Sequence, residues 1–285
     1  MGATATRTTG ASTAWIPHAP FDSVFGLFRH ITVGGLSGLT AGILVGGVGG
    51  RLFMRIAGAV AGERGAGMQT EAGFTVGEIT LEGTIFLILF IGIFTGVIGT
   101  AVYLAFRPWL AWAGRWRGMA FGVVLFSLGS ATSDMMNTDN VDFIILRNSE
   151  LLVALIFGLF LAFGFVIDSV FSFLNEWMPG KEQHSKSLAA VYGALSVLGL
   201  LVFAAPGSAL LSGGDPLCDC DPPVRATMSF AVVFVATLVF WLASIVERPP
   251  SSVQKFAAVF GYLGTVGVLV FGLIRAISDA AVIIG

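Results

Sequence analysis

Arg51 and Arg55 stand four residues apart, so a helix would carry them on one face. After a glycine-rich turn (62–67) come Glu71, Glu78 and Glu82, and the last two are again four apart. Gly83 and Thr84 then open an apolar run. Two guanidiniums with two or three carboxylates can hold a zwitterion, a lipid headgroup or an ion. The same groups can also neutralise one another, because charges beside lipid usually pair. The sequence leaves both readings open, a ligand site or an Arg–Glu lock.

A second polar stretch, 133–150, supplies Asp134, Asn137, Asp139, Asn140 and Asp142. Hard cations such as calcium take about six to eight oxygens. The order of donors fits no EF-hand, since the loop glycine and the closing bidentate Glu are missing. It reads better as an Asx-rich turn that starts the next helix. Asp139 or Asp142 could instead reach Arg51 or Arg55. The candidate ligand-binding set is therefore Arg51, Arg55, Glu78, Glu82, Asp139 and Asp142.

Other chemistry is sparse. Cys218 and Cys220 flank one residue, and a structural or intermolecular disulfide is the simplest use for them. Zinc sites space cysteines more widely and recruit further ligands, so no metal site is expected. His18, His30 and His184 are scattered, at positions that read as interfacial, and make no HExxH or haem motif. No GxSxG nucleophile elbow occurs. Asp168 sits inside an apolar segment, where an acid is a candidate proton carrier or a residue that snorkels to the edge. No catalytic residue and no cofactor is predicted.

The elements that must position these groups are membrane helices. Hydrophobic residues make up 55% of the chain and charged residues 11%, against about 25% charged in soluble domains. Mean hydropathy is +0.89, which places the chain among multi-pass membrane proteins. A net charge of −2 gives no reason to expect nucleic acid. A bilayer core of about 30 Å needs roughly 20 helical residues. Seven segments qualify: 31–50, 83–106, 116–133, 151–173, 188–211, 227–246 and 255–277. Residues 1–20 read as a disordered tail and 21–285 as one all-α transmembrane domain. Phe21, Phe25 and Phe28 suit an interfacial lead-in, and Pro206-Gly207 should kink or end the fifth span early.

Glycine organises the first span. Gly34, Gly38, Gly42, Gly46 and Gly50 step by four and form a smooth groove along a helix. Each would cost about 1 kcal/mol against Ala in water. In lipid such a groove admits a second helix at backbone distance, which drives association by packing. The pattern recurs at Gly92/Gly96, Gly118/Gly122 and Gly261/Gly264/Gly267.

Orientation follows from Lys and Arg. With the amino terminus in the cytoplasm, Arg7, Arg29, Arg107, Arg115, Arg117, Lys181, Lys186, Arg248 and Lys255 lie inside, a majority of the 15. The carboxyl terminus is then outside.

GGVGGRLFMR (46–55), GEITLEGTIFLILF (77–90), the RPW at 107–109 and NTDNVDFIIL (137–146) carry a resemblance. Over about residues 34–173 the chain resembles an uncharacterised family of bacterial, actinobacterial-type multi-pass membrane proteins. The resemblance implies a plasma-membrane protein of unknown function and transfers no catalytic residue. The expected function is thus a non-enzymatic integral membrane protein whose outward cluster binds a small ligand, a lipid headgroup or a partner. The alternatives are a small-solute or ion transporter or channel, and an intramembrane lipid-modifying enzyme. Expected partners are membrane lipid and a second copy or another membrane protein.

Overall fold

The structure is a computed structural model. It describes residues 16–17, 21, 23–62, 80–132, 149–179, 186–212, 224–246 and 251–284. The side chains of 57, 61, 89–91, 149, 200, 202–212 and 224 are not described. Among the described residues there is no strand.

The described residues form an all-α bundle of seven rods. The first is α1 (Val24–Ala41), a π-helical stretch (Gly42–Gly49) and α2 (Gly50–Ala61). The second is α3 (Leu81–Phe86), another π-helical stretch (Leu87–Gly92) and α4 (Ile93–Phe106). A tight 3-10 segment (Arg107–Trp116) leads to α5 (Arg117–Thr132). Then follow α6 (Ser149–Trp177), α7 (Lys186–Ser212), α8 (Val224–Ile245) and α9 (Ser251–Ile284). Among the described residues, five helical stretches are long and apolar enough to cross a membrane: Val24–Val60, Ile93–Thr132, Glu150–Trp177, Arg225–Ile245 and Ser251–Ile284. These helices fit a membrane protein. Gly114, with φ of 53°, turns the chain back and divides Ile93–Thr132 into the two arms α4 and α5. Only a residue without a Cβ enters that left-handed region freely.

Local chemistry explains the ends. Ser23 is extended, and its hydroxyl accepts from Gly26 N–H at 3.2 Å, starting α1. Thr80 does the same for α3, accepting from Gly83 N–H at 3.1 Å. α2 stops at Gly62, with φ of 56°. α7 continues past Pro206 to Ser212, so of the two expected outcomes, a kink or an early end, the early end does not occur. Membrane helices tolerate proline where neighbours or local turns satisfy the freed carbonyl.

The helices reverse direction in turn. α1 runs against α4: Gly34 faces Leu104, Gly38 faces Thr100 and Gly96, and Gly42 faces Gly92. A Cβ on Gly42 would stand 2.0 Å from the Gly92 carbonyl oxygen, so the two backbones touch. The next buried glycine on this rod is Gly47, five residues on, where an added Cβ would meet Ile88 at 3.1 Å. Gly46 is only half-buried. The reason is the π turn, whose i→i+5 bonds carry more residues per turn and shift the buried stripe by one. Gly50 sits against the Leu87 side chain.

The same device joins α5 to α6. A Cβ on Gly164 would lie 2.3 Å from the Gly118 carbonyl oxygen, and Gly122 faces Phe160 and Leu161. On α9, Gly264 faces Val233 of α8 and Gly272 faces Ser127 of α5.

Buried hydrogen bonds supplement this packing. Trp109 Nε1 donates to Thr237 Oγ1 at 2.8 Å, and that hydroxyl donates to the Ala105 carbonyl at 2.6 Å. In lipid such an interhelical bond contributes about 0.6 kcal/mol, with the best near 1.7. Around it lie Val33, Phe106, Trp109, Phe121, Ile167, Phe171 and Phe240, all fully buried.

Candidate functional site

Two polar regions lie at opposite ends of the bundle. The first is at the end where α1 begins. Its centre is Asp168 on α6, beside the α5 glycine contact. Arg117 Nε donates to Asp168 Oδ1 at 2.7 Å, and Tyr103 of α4 donates its hydroxyl to the same oxygen. Arg107, four residues after Tyr103, donates through Nε to the Tyr103 oxygen at 3.3 Å. Its guanidinium lies 4.3 Å from the centre of the Phe171 ring, a favourable cation–π position.

Arg29 completes this end. It donates to Asn175 Oδ1 at 2.8 Å and to the carbonyls of Asn175, Met178 and Pro179. The C-terminus of α6 leaves such carbonyls without helical donors, so Arg29 caps it. His30 is buried in an aromatic box of Phe21, Phe171 and Trp241, with ring centres 5.2 to 5.9 Å away. His30 thus stands two turns into α1, enclosed by rings rather than facing solvent.

The second region is at the far end, around Arg51. The side chain is half-buried. Its Nη2 donates to the Thr80 carbonyl at 3.3 Å, while its buried Nε has no acceptor among the described residues. Arg55, one helical turn further out, is exposed. Glu82 is exposed at the start of α3. Among the described residues no ion pair links Arg51 or Arg55 to Glu82. On the exposed face of α3, Leu81, Glu82, Ile85 and Phe86 line a shallow depression of about 430 Å³. Glu78, Asp139 and Asp142 lie outside the described residues, as do Glu71 and the 133–148 stretch. Cys218 and Cys220 lie outside them too, as does most of the tail.

Among the described residues no group of His, Cys, Asp and Glu could hold a metal ion. Sequence reasoning singled out Asp168 but not its partners. Tyr103 and Arg107 were legible as an i, i+4 pair on one face. Arg117 was not, because 51 residues separate it from Asp168.

Comparison with protein-family models, curated proteins and solved structures finds no match. Fold and polar regions together define an all-α bundle of apolar helices, with the charged groups described above at its two ends.

Proposed function

We propose that the chain is a non-enzymatic integral membrane protein that binds a phosphate- or carboxylate-bearing ligand at the Arg51 end. One observation carries this reading. Among the described residues, Arg51 keeps a buried N–H without an acceptor, and no acid pairs with Arg51 or with Arg55 one turn on. Leaving such a donor unmet costs about 1–3 kcal/mol, and more where the group is charged. An anionic oxygen placed there would recover that energy, and guanidinium–phosphate bonds are among the stronger hydrogen bonds in proteins.

At the opposite end the charged groups are already engaged internally. Asp168 is engaged by Arg117 and Tyr103, which makes it an anchor rather than a carrier of protons. The setting we infer is a bacterial plasma membrane with the amino terminus in the cytoplasm. In support, Arg29, Arg107 and Arg117 gather at the end where α1 begins, as the positive-inside rule favours.

The test is binding by the purified protein. Native mass spectrometry should show a phosphate-bearing species bound to wild type and absent from Arg51→Ala, while circular dichroism stays unchanged. An Arg51→Ala protein that loses its helical signal, or a wild type that carries nothing, would make Arg51 a structural lock.

A further inference from the structure

We infer that the turn between α4 and α5 rests on a lipid surface, with Trp112 and Trp116 at headgroup level and Arg115 on the phosphate of an anionic phospholipid. The inference rests on the membrane setting proposed above and not on the Arg51 site.

The turn has an inner and an outer side. Trp109 and Leu110 are fully buried, and Trp109 is held by Thr237. Trp112 is 68% exposed and Trp116 56%. Gly114 lies between these two, so the chain reverses at the end of two apolar arms while both indoles stay outside. An indole favours the boundary between headgroups and acyl chains, because its body is apolar and its N–H seeks an acceptor.

α6 shows that the outer surface at this end suits lipid. Phe165, Ser169, Phe173 and Trp177 follow one another in four-residue steps, and all are exposed. Ser169 turns its hydroxyl back onto the Phe165 carbonyl at 2.7 Å, which leaves the stripe without a free donor. In hydrocarbon a hydroxyl has no water to bond, so it needs a partner of this kind. The stripe ends on the indole of Trp177, beside the carbonyls that Arg29 holds. Phenylalanine below and tryptophan at the rim is the order that a leaflet sets, from acyl chain to headgroup.

Charge selects the kind of headgroup. Arg107 and Arg117 are engaged by Tyr103 and Asp168. Arg115 is exposed and has no ion pair among the described residues. Its guanidinium lies 5.0 Å from the centre of the Trp116 ring. A phosphate is the natural complement of such a cation.

The experiment is fluorescence quenching by lipid-borne bromine. The full-length protein is reconstituted in vesicles of equal parts phosphatidylcholine and phosphatidylglycerol, with bromine high on the acyl chains of one lipid or the other. Brominated lipid should quench wild type, and the double variant Trp112→Phe, Trp116→Phe should lose part of that quenching. Brominated phosphatidylglycerol should quench more than brominated phosphatidylcholine, reporting a local enrichment of about fivefold, the size expected of one cation at an anionic surface. Arg115→Gln should abolish that excess and keep the quenching by phosphatidylcholine. All three residues are exposed, so the variants should fold. If the double variant loses only quenching by acrylamide dissolved in the water, the rings face solvent or a soluble partner and the inference is wrong. Equal quenching by the two lipids in wild type would overturn the role of Arg115. A fivefold enrichment exchanges with the surrounding leaflet and is distinct from the retained species at Arg51, so Arg51→Ala should quench like wild type. A protein that does not enter the vesicles would remove the membrane setting and both readings with it.

Discussion

At the end where α1 begins, strong donors and acceptors meet. Asp168 receives Arg117 and Tyr103, Arg107 has Tyr103 and the Phe171 face, and Arg29 holds the carbonyls that end α6. At the far end, Arg51 Nε, Ser130 Oγ and Thr227 Oγ1 are buried with no hydrogen-bond partner among the described residues. At the near end Trp241 Nε1 is likewise without one among them. The bundle is thus fastened at one end and left with unspent donors at the other. A charge that is fully engaged stabilises the fold; a charge left over can recruit something else.

Between the two ends lies the glycine seam, and the sharpest way to break the comparison is to break the seam. Gly42→Leu or Gly96→Leu places a large side chain where backbones touch. We expect a loss of about 3 kcal/mol or more, or failure to accumulate in the membrane. Gly193→Leu is the control: an added Cβ meets nothing within 4 Å, and its melting temperature should match wild type.

Next in size is the fastened end. Asp168→Asn leaves Arg117 without its counter-charge and should cost about 2–3 kcal/mol, read as a lower melting temperature in detergent. Tyr103→Phe removes one hydrogen bond to Asp168 and should cost about 1 kcal/mol. A Tyr103→Phe loss as large as that of Asp168→Asn would mean that the tyrosine, not the ion pair, organises this end.

The smallest effect belongs to the far end. Arg55→Gln alters an exposed side chain and should change stability by less than about 0.5 kcal/mol. Its effect should appear in lipid retention instead.

Much of the architecture was legible in the sequence because lipid imposes simple rules. Long apolar runs become helices, and the α1 glycines at 34, 38 and 42 face a neighbour at the spacing a helix dictates. The rule failed at Gly46 and Gly47, where the π turn moved the buried position by one residue. A four-residue repeat in the sequence runs straight through that turn and carries no sign of it. The helix ends were also longer than hydropathy suggested, since α9 runs from Ser251 to Ile284. Polar ends cost little once they leave the hydrocarbon, so hydropathy does not mark where a helix stops.

The polar regions were half legible. The spacing of Arg51 and Arg55 marked them as one helix face, but the Thr80 carbonyl that Arg51 meets lies 29 residues on and no spacing pointed to it. The Tyr103–Asp168–Arg117 contact depends on how α4, α5 and α6 pack. No local spacing encodes that. Such contacts follow from the glycine seams, since Gly118 against Gly164 sets Arg117 at the height of Asp168.

The contrast between the two ends is tested most directly by melting Asp168→Asn and Arg51→Ala beside wild type in lipid-free detergent, then again after adding phospholipid. In detergent, Asp168→Asn should melt well below wild type and Arg51→Ala close to it. Added phospholipid should stabilise wild type and Asp168→Asn but not Arg51→Ala. If Arg51→Ala already melts as low as Asp168→Asn without lipid, both ends are locks and the proposed binding site is wrong.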